Sequence, residues 1–144
     1  MKKRVVVTGL GLVTPVGIGV PQSWESLCQG KSGVGPITRF DAGSFKTKIA
    51  GEVKGFKSEE FMPQKLVKRL DVFVHYALAA ARMAMEQSGL KITPELAPFV
   101  GVETGCGLGG LRTIEDTHSV LISRGPDRIS PFFIPMLIAN MAPG

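Results

Sequence analysis

The 144 residues carry 17 Lys and Arg against 12 Asp and Glu, a formal net charge of +5, and 44% are hydrophobic; that is enough apolar material for a folded domain and excludes a disordered tail. Two cysteines, Cys28 and Cys106, supply neither a disulfide framework nor a cysteine-based zinc site, while 18 Gly and 10 Pro favour a loop-rich α/β protein over a helical bundle. The charge is uneven, with 12 basic and 5 acidic residues over positions 1–70 against 5 and 7 over positions 71–144.

Val5, Val6, Val7 and Thr8 read as a short buried strand, and Gly9, Gly11 and Gly17 with Pro15 make the loop after it. Lys2, Lys3 and Arg4 ahead of this run mimic an export signal. The interruptions at Thr8, Gly9, Gly11, Thr14 and Pro15 and the lack of an A-x-A site argue against one. No window offers the ~18 uninterrupted apolar residues of a membrane helix, so a cytoplasmic protein with no membrane partner is expected. The scattered Lys and Arg residues lack aromatic interleaving and belong to no nucleic-acid module; an acidic protein partner fits the charge equally well.

Residues 21–29 predict a helix stopped by Gly30, with Trp24, Leu27 and Cys28 on its apolar face. Residues 31–45 form a turn-rich excursion, and residues 48–53 a short edge strand. The longest helix signal covers residues 64–88 and ends at Gly89. Leu66, Leu70, Phe73, Ala77, Ala80 and Ala84 form its apolar stripe, whose later half is small enough for close packing; Asp71, His75, Arg82 and Glu86 fall on the opposite side. His75 there reads as a solvated or hydrogen-bonded residue. Lys65, Lys68 and Arg69 share one face, either a docking patch for phosphate or carboxylate or an ordinary solvated helix end, and spacing alone does not choose.

Residues 99–103 predict a strand, followed by Gly105, Gly107, Gly109 and Gly110 and then a helix with Leu111, Ile114, His118, Leu121 and Ile122 along one side, ending near Gly125. Gly105, Gly107 and Gly110 satisfy G-x-G-x-x-G, so a dinucleotide-binding module has to be weighed. The second strand with its acidic end is missing, because SRGPDRISPFF occupies that place. Cys106 sits where a nucleophile elbow would hold its nucleophile, yet Thr104 and Leu108 stand where that motif needs glycines, and neither His75 nor His118 is linked to it by any signature. A pocket-lining or packing thiol is the better reading. The proline-bounded, apolar final segment predicts a short helix over residues 135–141. Repeats and linkers are lacking.

Together, VVVTGLGLVTPVG, GKSGVGPITRFD, GCGLGG and GPDRISPFFIPMLIANM resemble the amino-terminal part of the type II β-ketoacyl-acyl carrier protein synthases, and the resemblance covers essentially all 144 residues. It implies an α/β, thiolase-like layered fold, of which residues 1–144 are the amino-terminal portion of the first half, in a homodimer that needs no cofactor or metal. It also implies decarboxylative condensation of a cysteine-bound acyl group with a malonyl thioester on acyl carrier protein, in fatty acid elongation. The nucleophilic cysteine and two histidines of that family match none of Cys28, Cys106, His75 or His118 and are expected beyond Gly144, in a longer chain. By the same resemblance Gly107, Leu108 and Phe133 line the acyl-chain pocket, Phe133 reaching across from the other subunit. Lys65, Lys68 and Arg69 receive acyl carrier protein, with Arg124 and Arg128 added from the partner subunit and Asp127 interrupting them. A non-catalytic thiolase-fold dimerisation or regulatory protein is the main alternative, and a polyketide relative shares the scaffold. Taken alone, the 144 residues are expected to expose apolar faces and aggregate.

Overall fold

The computed structural model describes residues 3–144, which leaves Lys2 of the basic opening run outside the described residues. The chain divides into two compact units, one made of residues 1–57 and 79–89, the other of residues 58–78 and 90–144. The helix α3, Val72–Ser88, contributes its two halves to different units.

In the first unit the opening loop folds into a minimal antiparallel pair, β1 (Val13–Thr14) and β2 (Gly17–Ile18). Helix α1, Val20–Cys28, follows at once, with proline in its first turn, where the missing N–H costs nothing. Ser23 joins the helix to the pair: its hydroxyl donates to the Gly17 carbonyl at 3.1 Å and lies 3.2 Å from the Thr14 hydroxyl. That contact corrects the expected face of α1. Ser23 and Ser26 are buried, whereas Trp24, Leu27 and Cys28 are exposed, because the hydrogen bonds of Ser23 turn its side of the helix to the ribbon and nothing among the described residues covers the apolar face. A second ribbon pairs β3 (Val34–Pro36) with β4 (Ile49–Gly51). The excursion over residues 31–45 thus contains a strand, and the strand predicted over 48–53 is trimmed to its middle.

Gly9 and Gly11 lie against the second half of α3, where a Cβ on Gly9 would overlap the Ala84 carbonyl and one on Gly11 the Ala80 carbonyl. The spacing is geometric. Two residues of extended chain advance about as far as one helical turn, so alternate glycines meet alanines four apart. The Leu10 N–H, between them, donates to Gln87 Oε1 at 2.6 Å. The small half of the predicted stripe therefore does pack closely, against a glycine loop.

Val5–Thr8 and residues 99–103 are not strands among the described residues. A strand needs a neighbour to pair with, and neither segment has one here: Val5 is 94% exposed and Phe99 is 85% exposed. Ala97–Phe99 instead closes a 3₁₀ turn.

The second unit holds α2 (Gln64–Val67), the first half of α3, α4 (Leu111–Arg124) and α5 (Phe133–Leu137). The single helix predicted over 64–88 is two helices. Asp71 makes the break by capping α3: its carboxylate accepts the Phe73 N–H at 3.4 Å and its carbonyl the Val74 N–H at 3.0 Å. Its expected exposure is corrected too, since Asp71 is buried, as are Met62, Val74 and His75. α5 starts two residues earlier than predicted and gives way to a 3₁₀ turn at Ala139–Met141.

Candidate functional site

The glycine cluster becomes a loop leading into α4, and its glycines are not equivalent. Gly109 has φ +68°, and a Cβ there would overlap the Leu137 carbonyl at the end of α5. Gly110 donates its N–H to that carbonyl at 3.0 Å, and a Cβ on it would overlap the Met136 carbonyl and come within 3.0 Å of Asp71 Oδ2. These two glycines bring backbone onto backbone. Gly105 and Gly107 have open space where a side chain would go, and Leu108 is 72% exposed. Phe133, half-buried, opens the helix whose far end the loop touches.

Asp71 ties this loop to the rest of the unit. Its Oδ2 accepts the Thr113 hydroxyl at 2.6 Å, a buried bond between the start of α3 and the first turn of α4. Asp71→Ala is expected to destabilise the complete protein by about 2–4 kcal/mol, a buried charged hydrogen bond and a helix cap lost together. Chemical denaturation measures it, and a loss below about 1 kcal/mol would contradict the assignment.

His75 is also buried, so of its two expected settings, solvated or hydrogen-bonded, the hydrogen-bonded one holds. Its Nδ1 shares a 3.0 Å hydrogen bond with the Ser58 hydroxyl, and among the described residues its buried Nε2 makes no hydrogen bond of good geometry. Burial is the largest influence on the ring and pushes its pKa below the ordinary histidine value; the Asp71 charge, the Leu70 and Val67 carbonyls and the Glu59 charge oppose this by less. The unfolded chain therefore takes up this proton first, at about pH 6.5, and the folded state loses stability as pH falls below that value. Stability curves from pH 7 to pH 5 should be shallower for His75→Gln than for the parent, and parallel curves would contradict the buried neutral ring.

The basic residues separate by element. Lys65 lies within α2 and Lys68 and Arg69 follow it; all three are exposed, and among the described residues no carboxylate pairs with them. The Arg69 guanidinium sits 4.7 Å from the centre of the Phe132 ring. Arg124 ends α4, and Arg128 closes the 3₁₀ turn after it. Arg128 also lines an open depression of about 150 Å³ with Asp116, Thr117 and Ser130.

Cys106 is exposed and its sulfur accepts the Gly109 N–H at 3.1 Å. Without a strand over 99–103, the strand-loop-helix setting of a dinucleotide fingerprint is missing from the described residues, and that reading is set aside. Among the described residues no cluster of three His, Cys, Asp or Glu is arranged to hold a metal, and no helix is long and apolar enough to cross a membrane.

A family model described as "Beta-ketoacyl synthase, N-terminal domain" matches residues 2–144. The chain belongs to the β-ketoacyl synthase family. Among its relatives, the 3-oxoacyl-[acyl-carrier-protein] synthase 2 of Coxiella burnetii is 52% identical over 143 residues, and the protein of the same name from Synechocystis is 48% identical; each alignment covers 99% of this chain and 34% of the relative. The chain thus spans about a third of the length of these relatives. A solved structure, the ishigamide ketosynthase/chain length factor, is 27% identical and superposes with a TM-score of 0.73 over 95% of this chain and 34% of its own. The synthase fold is α/β and thiolase-like, as its motifs imply.

Sequence reasoning missed Asp71, Thr113, Ser58 and Phe132. Asp71 carried a usable signal, an N-cap residue before an apolar run. Thr113 is 42 positions from its partner and carried none.

Proposed function

We propose that the complete protein is a β-ketoacyl-acyl carrier protein synthase that elongates acyl chains in fatty acid synthesis, with residues 1–144 the amino-terminal part of its synthase domain. The observation that carries this is 52% identity across 99% of the chain to a 3-oxoacyl-[acyl-carrier-protein] synthase 2. In the reaction, a cysteine thiolate outside these residues attacks the acyl thioester of the carrier, and the carrier thiolate leaves. A malonyl group on a second carrier then loses carbon dioxide, its carbanion attacks the enzyme thioester, and the cysteine thiolate departs as 3-oxoacyl-carrier forms. Two histidines from the same outlying region support decarboxylation. Hydrogen-bond donors around the thioester oxygen stabilise its tetrahedral intermediates.

The present residues are assigned to binding. Gly107 and Leu108 face the acyl chain from the glycine loop, where Gly107 leaves open space, and Phe133 joins them from the second subunit of a homodimer. Lys65, Lys68 and Arg69 receive the acidic carrier, with Arg124 and Arg128 supplied by that second subunit. The enzyme acts in the cytoplasm without cofactor or metal. Incubating the complete protein with acyl-carrier and malonyl-carrier tests the reading. Carbon dioxide release matched by a product two carbons longer is expected, and no product beside a folded, carrier-binding protein would favour a non-catalytic relative.

A further inference from the structure

Arg69 and Phe132 are each anchored by backbone before their side chains meet. The Arg69 N–H donates to the Leu66 carbonyl at 2.9 Å, fixing it to the end of α2. Phe132 is held by Ser130, whose hydroxyl accepts the Phe132 N–H at 3.2 Å while its carbonyl accepts the Phe133 N–H at 3.0 Å. Phe132 is 37% exposed as a residue, so it offers the guanidinium a partly dry surface next to water. An arginine over a ring gives up its π-face, while its N–H donors stay available for a carboxylate. Among the described residues no ring lies under Lys65 or Lys68, whose ammonium groups are compact point charges on flexible stems.

We propose that Phe132 is a positioning residue for carrier docking: it holds Arg69 in place so that the guanidinium meets a carboxylate of the acidic carrier already oriented. The inference rests on the reading of Lys65, Lys68 and Arg69 as the carrier patch. Pre-orientation matters because a free arginine side chain loses much rotamer freedom on forming a two-pronged carboxylate bond. Phe132 thereby links the docking patch to α5, which the pocket loop touches through Leu137.

The test is a mutant cycle in the complete enzyme, with KM measured for an acyl-carrier substrate and for a short free thioester. Phe132→Leu keeps an apolar side chain and removes the π-face. It is expected to raise the ratio of carrier KM to free-thioester KM about two- to fivefold. Phe132→Trp should restore the parental ratio, and Phe132→Leu added to Arg69→Gln should raise it no further than Arg69→Gln alone. Multiplying effects in the double variant, or an equal rise in both KM values with Phe132→Leu, would overturn the positioning role. A ratio unmoved by Arg69→Gln would overturn the docking reading beneath it.

Discussion

Gly107→Met in the complete enzyme is expected to lower kcat/KM for long acyl primers by roughly a hundredfold, while short primers stay within about threefold of the parent. The neighbourhood of Gly107 is the reason. A Cβ at this position meets nothing within 4 Å among the described residues, so a side chain can leave the loop here without pressing on it. If that space is where the acyl chain lies, methionine takes the room of three or four methylenes. At about 0.8 kcal/mol for each methylene kept from its apolar site, the loss approaches 3 kcal/mol, or two orders of magnitude in rate. Gly110→Ala provides the contrast. Its new methyl would press on the Met136 carbonyl and on Asp71, which cannot yield without moving α5 or α3. That variant should lose about 1–3 kcal/mol of stability and depress all primers alike. Initial rates over a series of primer lengths separate the two patterns, and an unchanged length profile in Gly107→Met would remove Gly107 and Leu108 from the pocket.

Reversing charge at Lys65 and Arg69 together should raise KM for carrier-bound substrates about 10- to 100-fold at low ionic strength. Each exposed pairing contributes up to about 1 kcal/mol, and reversal replaces attraction by repulsion at both positions. The effect should shrink as salt approaches about 0.5 M, because the Debye length then falls below the reach of the patch. The ratio to KM for a short free thioester isolates docking from folding. Equal losses on both substrates, insensitive to salt, would assign these residues to stability.

The parts of the fold legible from sequence are those set by local chemistry. Proline and glycine place α1 and its stop, and the apolar period with Gly125 bounds α4. What was misread depends on partners far along the chain. Asp71 and His75 were placed opposite the apolar stripe because helical periodicity describes one helix, whereas Thr113 and Ser58, 42 and 17 positions away, hold them by hydrogen bonds in buried positions. The helix break at residues 68–71 has the same origin, a capping carboxylate with a second duty. Trp24 and Leu27 failed for the opposite reason: their apolar face has nothing to cover it among the described residues, as with Val5 and Phe99. For the site, the glycine loop and the basic turn were readable as clusters. That Gly107 is open while Gly109 and Gly110 are closed was not, because it depends on the carbonyls at the end of α5.

The central claim is that these residues bind and position substrates for a condensation whose nucleophile lies elsewhere in the complete protein. Peptide mass mapping of that protein after brief exposure to acyl-carrier, with malonyl-carrier withheld, tests it most directly. The account predicts one acyl group as a thioester on a cysteine peptide other than those of Cys28 and Cys106, removed when malonyl-carrier is added. An acyl group on exposed Cys106 that malonyl-carrier discharges would contradict it, and would place the chemistry in the glycine loop itself.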